Sequence, residues 1–171
     1  WTAKVQVGGA TFAKQLKIET VKPNRLKIDL DFGKKELSGV DEDLNGKLAV
    51  KWLHGAIAKD LRAKVELKMR AAKTEFKSHK DFVFDDPARS FESDVQVLFE
   101  NNTDENGQAN VPLQLGDVSE APGKLIASFQ VRAFEKSGDF SIDNFALDFF
   151  PYNQFVGVSV PINRWGSKEM D

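Results

Sequence analysis

Cysteine is absent from the 171 residues. That excludes disulfides, thiolate nucleophiles and thiolate metal sites, and fits either side of a membrane. Histidine occurs only at His54 and His79, and tyrosine only at Tyr152. No apolar run reaches the roughly 18 residues that a spanning helix requires. Neither sign of charge dominates: 24 Lys and Arg stand against 26 Asp and Glu, a formal net charge of −2. A nucleic-acid binder would need a basic stripe, and this balance argues against one. Long helical periodicity is also missing. The chain opens on Trp1 with neither Met nor a signal peptide, and is read as a piece of something longer.

What is present is apolar and aromatic. Hydrophobic residues make up 41%, with fourteen Phe and three Trp, enough for a buried core in one domain of ordinary size. Period-two alternation recurs along the chain. Val5 and Val7 precede Gly8-Gly9, and Leu16 and Ile18 follow it, which reads as a hairpin on a glycine-rich turn. After Lys22-Pro23-Asn24, alternating runs predict seven strands at 25–32, 46–53, 62–70, 93–100, 108–115, 124–134 and 142–149. Residues 70–92 are irregular, with room for a short strand in the aromatic group Asp81 to Pro87. Seven short strands, each with one apolar face, predict an all-β fold, an antiparallel β-sandwich. Its expected core holds Trp52, Val65, Leu67, Val97, Leu113, Phe129, Val131 and Leu147.

Five motifs in register then resemble the bacterial alpha-2-macroglobulins. Gly8-Gly9-Ala10-Thr11-Phe12, followed by Ile18 to Leu26, is similar to a domain junction of that family. Lys51-Trp52-Leu53-His54-Gly55-Ala56 resembles the corner that ends the second strand of a macroglobulin domain. Asp104-Glu105-Asn106-Gly107-Gln108-Ala109 resembles the Asp-x-x-Gly-x-Ala turn before the fifth strand. Val131-Arg132-Ala133-Phe134-Glu135, with Gly138, resembles the sixth strand and its turn, and Phe155-Val156-Gly157-Val158 the start of a following domain. The resemblance implies a macroglobulin (fibronectin-III-like) sandwich. It divides the chain into 1–22, the last two strands of a preceding domain; 23–150, a complete macroglobulin-like domain; and 151–171, the start of another. It also implies a non-catalytic scaffold part of a protease-trapping protein in the periplasm or at the cell surface, secreted or lipid-anchored. The implied partners are neighbouring domains of the same parent chain and, through the full-length protein, host or competitor proteases. The thioester carried by many members needs a Cys-x-x-Gln-type motif, and this chain has no Cys.

Each residue that could carry chemistry has a structural alternative. His54 would need a nucleophile, carboxylates or further ligands, and the sequence places none beside it; a corner explains Trp52 to Ala56 better. Asp41-x-Asp43-x-Asn45-Gly46 and Asn102-x-Asp104-x-Asn106-Gly107 match the first half of a calcium loop. Their twelfth positions are Trp52 and Leu113 in place of a bidentate Glu, so turn formation is the simpler reading. Asp81, Asp85 and Asp86 cluster near Phe82 and Phe84, a pattern of paired carboxylates or of a solvated, ring-pinned loop. Asn101-Asn102-Thr103 is formally a glycosylation sequon. No Gly-x-Ser-x-Gly elbow or phosphate loop occurs. The expectation is therefore no catalytic, cofactor or metal residue and no enzyme activity. A β-sandwich adhesion or carbohydrate-binding module is the alternative. It would favour exposed Trp or Tyr in a row, whereas Tyr152 lies at the domain end and Trp52 on an apolar strand face.

Overall fold

The computed structural model describes residues 2–15, 23–41 and 44–159. Leu16 and Ile18 of the expected hairpin, and Asp43 of the first acidic loop, lie outside them. Strands β1 (Thr2–Val7) and β2 (Ala10–Gln15) form a two-stranded sheet of their own. Gly8 and Gly9 both take positive φ, 56° and 81°. Two such residues in a row suit a tight two-residue hairpin turn, because that backbone twist matches the strands it joins. The turn sets Val5 opposite Phe12 and Val7 opposite Ala10. Val5, Val7 and Phe12 remain more than half exposed.

The remaining strands stack as two layers. One sheet orders β3 (Leu26–Asp31), β5 (Asn45–Trp52) and β8 (Gln108–Pro112). The other orders β4 (Glu36–Ser38), β10 (Phe140–Phe150), β9 (Leu125–Phe134), β6 (Arg62–Ala71) and β7 (Gln96–Asn102). The all-β sandwich class stands, with two changes. The described sandwich strands number eight, and β4 runs parallel to β10 where an antiparallel arrangement was expected. Three residues with one apolar side chain give no alternation to read. What holds β4 is Leu37, fully buried, together with pairing to the last three residues of β10.

Alternation decides which face goes inward. Leu26, Ile28 and Leu30 on β3, with Leu48 and Val50 on β5, are buried while the residues between them face out. Val65, Leu67 and Met69 on β6 and Leu125, Phe129 and Val131 on β9 do the same from the larger sheet. The two layers meet at Phe32 and Phe129, whose ring centroids lie 4.8 Å apart. Of the expected core, Val65, Leu67, Phe129 and Val131 are fully buried; Trp52, Leu113 and Leu147 are half-buried against it. Val97 is not in the core. It is 47% exposed because a bulge shifts the β6–β7 register between Val65 and Glu66, pairing Val65 with Phe99 and Glu66 with Val97. The extra residue turns Leu98 and Phe99 toward the core instead.

The outer face of β6 and β9 is polar and paired. Glu66 accepts from Lys64 at 2.7 Å and from Arg132 at 2.7 Å. The Lys64 hydrogen bond holds the Glu66 carboxyl below its ordinary range, against the raising effect of partial burial, and the Arg132 charge adds to it. A carboxylate whose pKa is lowered by folding stabilises the fold above its unfolded value, about 4.3. That contribution is lost as pH falls through the folded value. Glu66→Gln is therefore expected to lower the urea midpoint at neutral pH and to make its decline below about pH 4.3 shallower than in the parent. Parallel acid limbs for the two proteins would mean that the pair contributes nothing.

Candidate functional site

The corner after β5 is built by the backbone. Gly55 donates to the Trp52 carbonyl at 2.8 Å and Trp52 donates to the Ala56 carbonyl at 2.9 Å. Gly55 sits at φ +95°, a conformation that side chains with a Cβ rarely adopt. Trp52 is capped from outside: the Arg25 guanidinium lies 5.6 Å from its ring and the His54 ring stacks at 6.1 Å. His54 is exposed, and Trp52 is the one ring it stacks on among the described residues. His54→Ala is expected to change stability by less than about 0.5 kcal/mol, the usual scale for an exposed position. A drop of several kcal/mol in a denaturant titration would contradict this picture of the corner.

Asp41 and Asp104 each brace a turn. The Asp41 carboxylate accepts the Ser38 amide at 2.9 Å and pairs with Lys34. These bonds, Lys34 first, hold its pKa below the ordinary range despite some burial. In the second loop one Asp104 oxygen accepts from the amides of Asn106 at 2.8 Å and Gln108 at 2.7 Å. Gly107 follows at φ +71°, and a Cβ there would stand 2.5 Å from the Val50 carbonyl oxygen. The sequon threonine is equally engaged: Thr103 is buried, accepts from the Leu61 amide at 3.2 Å and donates to the Ala58 carbonyl at 3.3 Å. Among the described residues no group of three or more His, Asp or Glu converges as a metal site would need.

The Asp81, Asp85 and Asp86 cluster does not converge either. Asp85 turns inward to accept the Thr74 amide at 3.0 Å, and Asp86 accepts the Ala88 amide at 2.9 Å and pairs with Arg89 at 3.2 Å. Asp81 stays exposed. Asp85 and Asp86 each brace the segment between β6 and β7.

Residues 24–140 match the family model described as the bacterial alpha-2-macroglobulin MG5 domain. The chain belongs to this family. The macroglobulin fold also appears in solved structures that resemble it. The native conformation of Escherichia coli alpha-2-macroglobulin matches at a TM-score of 0.70 and 20% identity, over 93% of this chain and 10% of that one. Salmonella alpha-2-macroglobulin reacted with methylamine matches at a TM-score of 0.67 and 19% identity, over 92% of this chain and 10% of that one. This chain thus spans about a tenth of those solved chains. No curated protein matches it.

Within the MG5 domain the family-like motifs take structural places. Trp52 to Ala56 turns the corner, Asp104 to Ala109 turns into β8, and Gly138, at φ +88°, closes the β9–β10 hairpin. Two features escaped sequence reading. The first is a clamp where the chain enters the sandwich. Asn24 both donates to and accepts from the Ile142 backbone, at 2.8 and 3.1 Å. The buried Ser141 hydroxyl accepts the amides of Arg25 and Leu26 at 3.0 and 3.1 Å, and Arg25 pairs with buried Glu135 at 2.9 Å. Partners more than a hundred residues apart leave no local pattern. The second is an aromatic cluster joining the β6–β7 segment to residues 150–157. Phe76 packs on Phe84 at 4.7 Å and on Phe155 at 5.6 Å, and Phe155 on Tyr152 at 5.9 Å. Val83 and Val158 exchange both backbone hydrogen bonds at 2.9 Å. The Phe-rich composition was a signal for buried rings, but not for which segments share them.

Proposed function

We propose that this chain is a non-catalytic scaffold segment of a bacterial protease-trapping alpha-2-macroglobulin of the periplasm or cell surface. The match of residues 24–140 to the MG5 family carries the reading. Residues 23–150 supply the domain, 1–22 complete a preceding domain, and 151–171 begin the next. The exposed Val5, Val7 and Phe12 of the β1–β2 hairpin support the second assignment, since an isolated two-stranded hairpin is marginal in water and its apolar face suits a larger sheet. The engagement of Asp41, Asp85, Asp86 and Asp104 by their own loops supports a structural over a catalytic role. The Tyr152 hydroxyl donates to the Ala121 carbonyl at 2.7 Å, so this ring is pinned rather than offered to a sugar.

The test uses the parent protein and a serine protease. A trap leaves the captured enzyme able to cleave a small chromogenic peptide while protecting a large protein substrate. The expected result is that selective protection, unchanged in the parent carrying His54→Ala. Equal digestion of large and small substrates would overturn the trapping role, and loss of protection in a folded His54→Ala parent would overturn the non-catalytic reading of the corner.

A further inference from the structure

The aromatic cluster of the β6–β7 segment opens outward instead of closing. Phe76, Phe82, Phe84 and Phe155, with the His79 ring, line an open hollow of about 510 Å³. Its floor is tight: a Cβ on Gly157 would stand 2.4 Å from the Phe84 ring. Phe82 forms the lip and is 41% exposed, a large apolar surface left in water. A second hollow of about 420 Å³ shares Phe76, His79 and Phe82 with the first, so the two adjoin on one stretch of surface, together termed the groove. This second half is cationic: Lys73, Lys77, Lys80 and Lys124 line it, with Glu75 as the one acidic side chain. Lys73 is paired with Glu75 at 2.6 Å and Lys124 with Asp148 at 2.9 Å. Lys77 and Lys80 have no carboxylate partner among the described residues.

We propose that this groove binds an extended acidic peptide segment that carries an aromatic side chain. The peptide's ring enters the hollow against Phe82 and Phe84, and carboxylates one or two residues further along meet Lys77 and Lys80. Charge complementarity selects the acidic partner, because two uncompensated ammonium groups attract carboxylates and disfavour basic segments. Ring-on-ring contact selects the aromatic, which gains from edge and offset packing beyond simple burial. The open aromatic half favours a chain over a small molecule, since a small ligand is held by a pocket that covers most of its surface. An anionic membrane is a poorer occupant: Phe76 and Phe84 are half-buried rather than protruding, and two free lysines are few for a lipid surface. Nothing in this reading depends on protease trapping.

The test is calorimetric titration of the 171-residue chain with a capped hexapeptide containing one tryptophan followed by two glutamates. One-to-one binding that weakens with added salt is expected. Phe82→Ala should weaken it about tenfold, the scale of a lost aromatic anchor. Lys77→Gln with Lys80→Gln should remove most of the salt dependence. Both sets of residues are exposed, and unchanged thermal melts check that each variant is folded. The proposal fails if the peptide does not bind or if Phe82→Ala binds it as tightly as the parent does. It fails equally if a tryptophan-to-alanine peptide binds as well, which would reduce the groove to a charge patch. Binding to anionic phosphatidylserine vesicles with none to the peptide would also overturn it and assign the groove to a lipid surface.

Discussion

Phe129→Ala is expected to destabilise the sandwich by about 3–5 kcal/mol, the range for removing a buried aromatic ring. Phe129 lies on β9, the middle strand of the five-stranded sheet, and has no exposed surface. Its ring meets Phe32 at 4.8 Å, so the truncation empties the space between the two layers and not merely a corner of one. Strands on both sides, β6 and β10, restrict how far the site can collapse onto the gap. A domain of this size has only about 5–15 kcal/mol of stability in all. The variant should thus show a large fall in urea midpoint with little change in slope. A loss below about 1 kcal/mol would mean that the layers are not locked through this ring. Trp52→Ala should cost less, because Trp52 is half-buried at the end of β5 and part of its surface is covered by Arg25 instead of by the core.

Gly107→Val should cost about 2–6 kcal/mol, taking about 1–3 for a side chain held at positive φ and about 1–3 for overpacking. Gly107 stands at φ +71°, where its amide closes the Asp104 turn at 3.0 Å and its carbonyl accepts the Val50 amide at 2.8 Å. A Cβ at this position would face the Val50 carbonyl oxygen at 2.5 Å and that of Ala58 at 3.2 Å. Both are backbone atoms and cannot swing away as a side-chain tip could. Gly138→Val, in the β9–β10 turn of the same sandwich, tests the separation of the two costs. It has positive φ with open space around it, so only strain applies, and the variant should lose less than Gly107→Val. Thermal unfolding of the two variants beside the parent measures the difference.

Legibility followed the range of the signal. The seven longer strands could be read because alternation repeats within each, as in Leu26-Ile28-Leu30 or Val65-Leu67-Met69. The corner at Gly55 and the turn at Gly107 could be read because a positive φ leaves a glycine in the sequence. Strand β4 could not, since its one buried residue, Leu37, acquires its meaning from Phe149, more than a hundred positions away. Val97 misled for a related reason. Its alternation with Val95 and Phe99 is real, but the bulge against β6 reverses which side of the strand faces the core. The cationic, aromatic groove was invisible because its rings come from residues 76–84 and from Phe155. Lys77 and Lys80 look like any exposed lysines until the ion pairs around them are known.

By itself the sequence determined an all-β chain, because side-chain period and turn chemistry are local properties written every two to four residues, and its motifs carried the resemblance to the macroglobulins. It also determined that no disulfide or thioester could form here, because cysteine is absent. Only the tertiary structure decided how the strands divide between the sheets, which carboxylates hold their own loops, and which rings meet beyond β10. Those outcomes depend on contacts between residues far apart in the chain. Their energies arise only once the backbone has closed the loops between them.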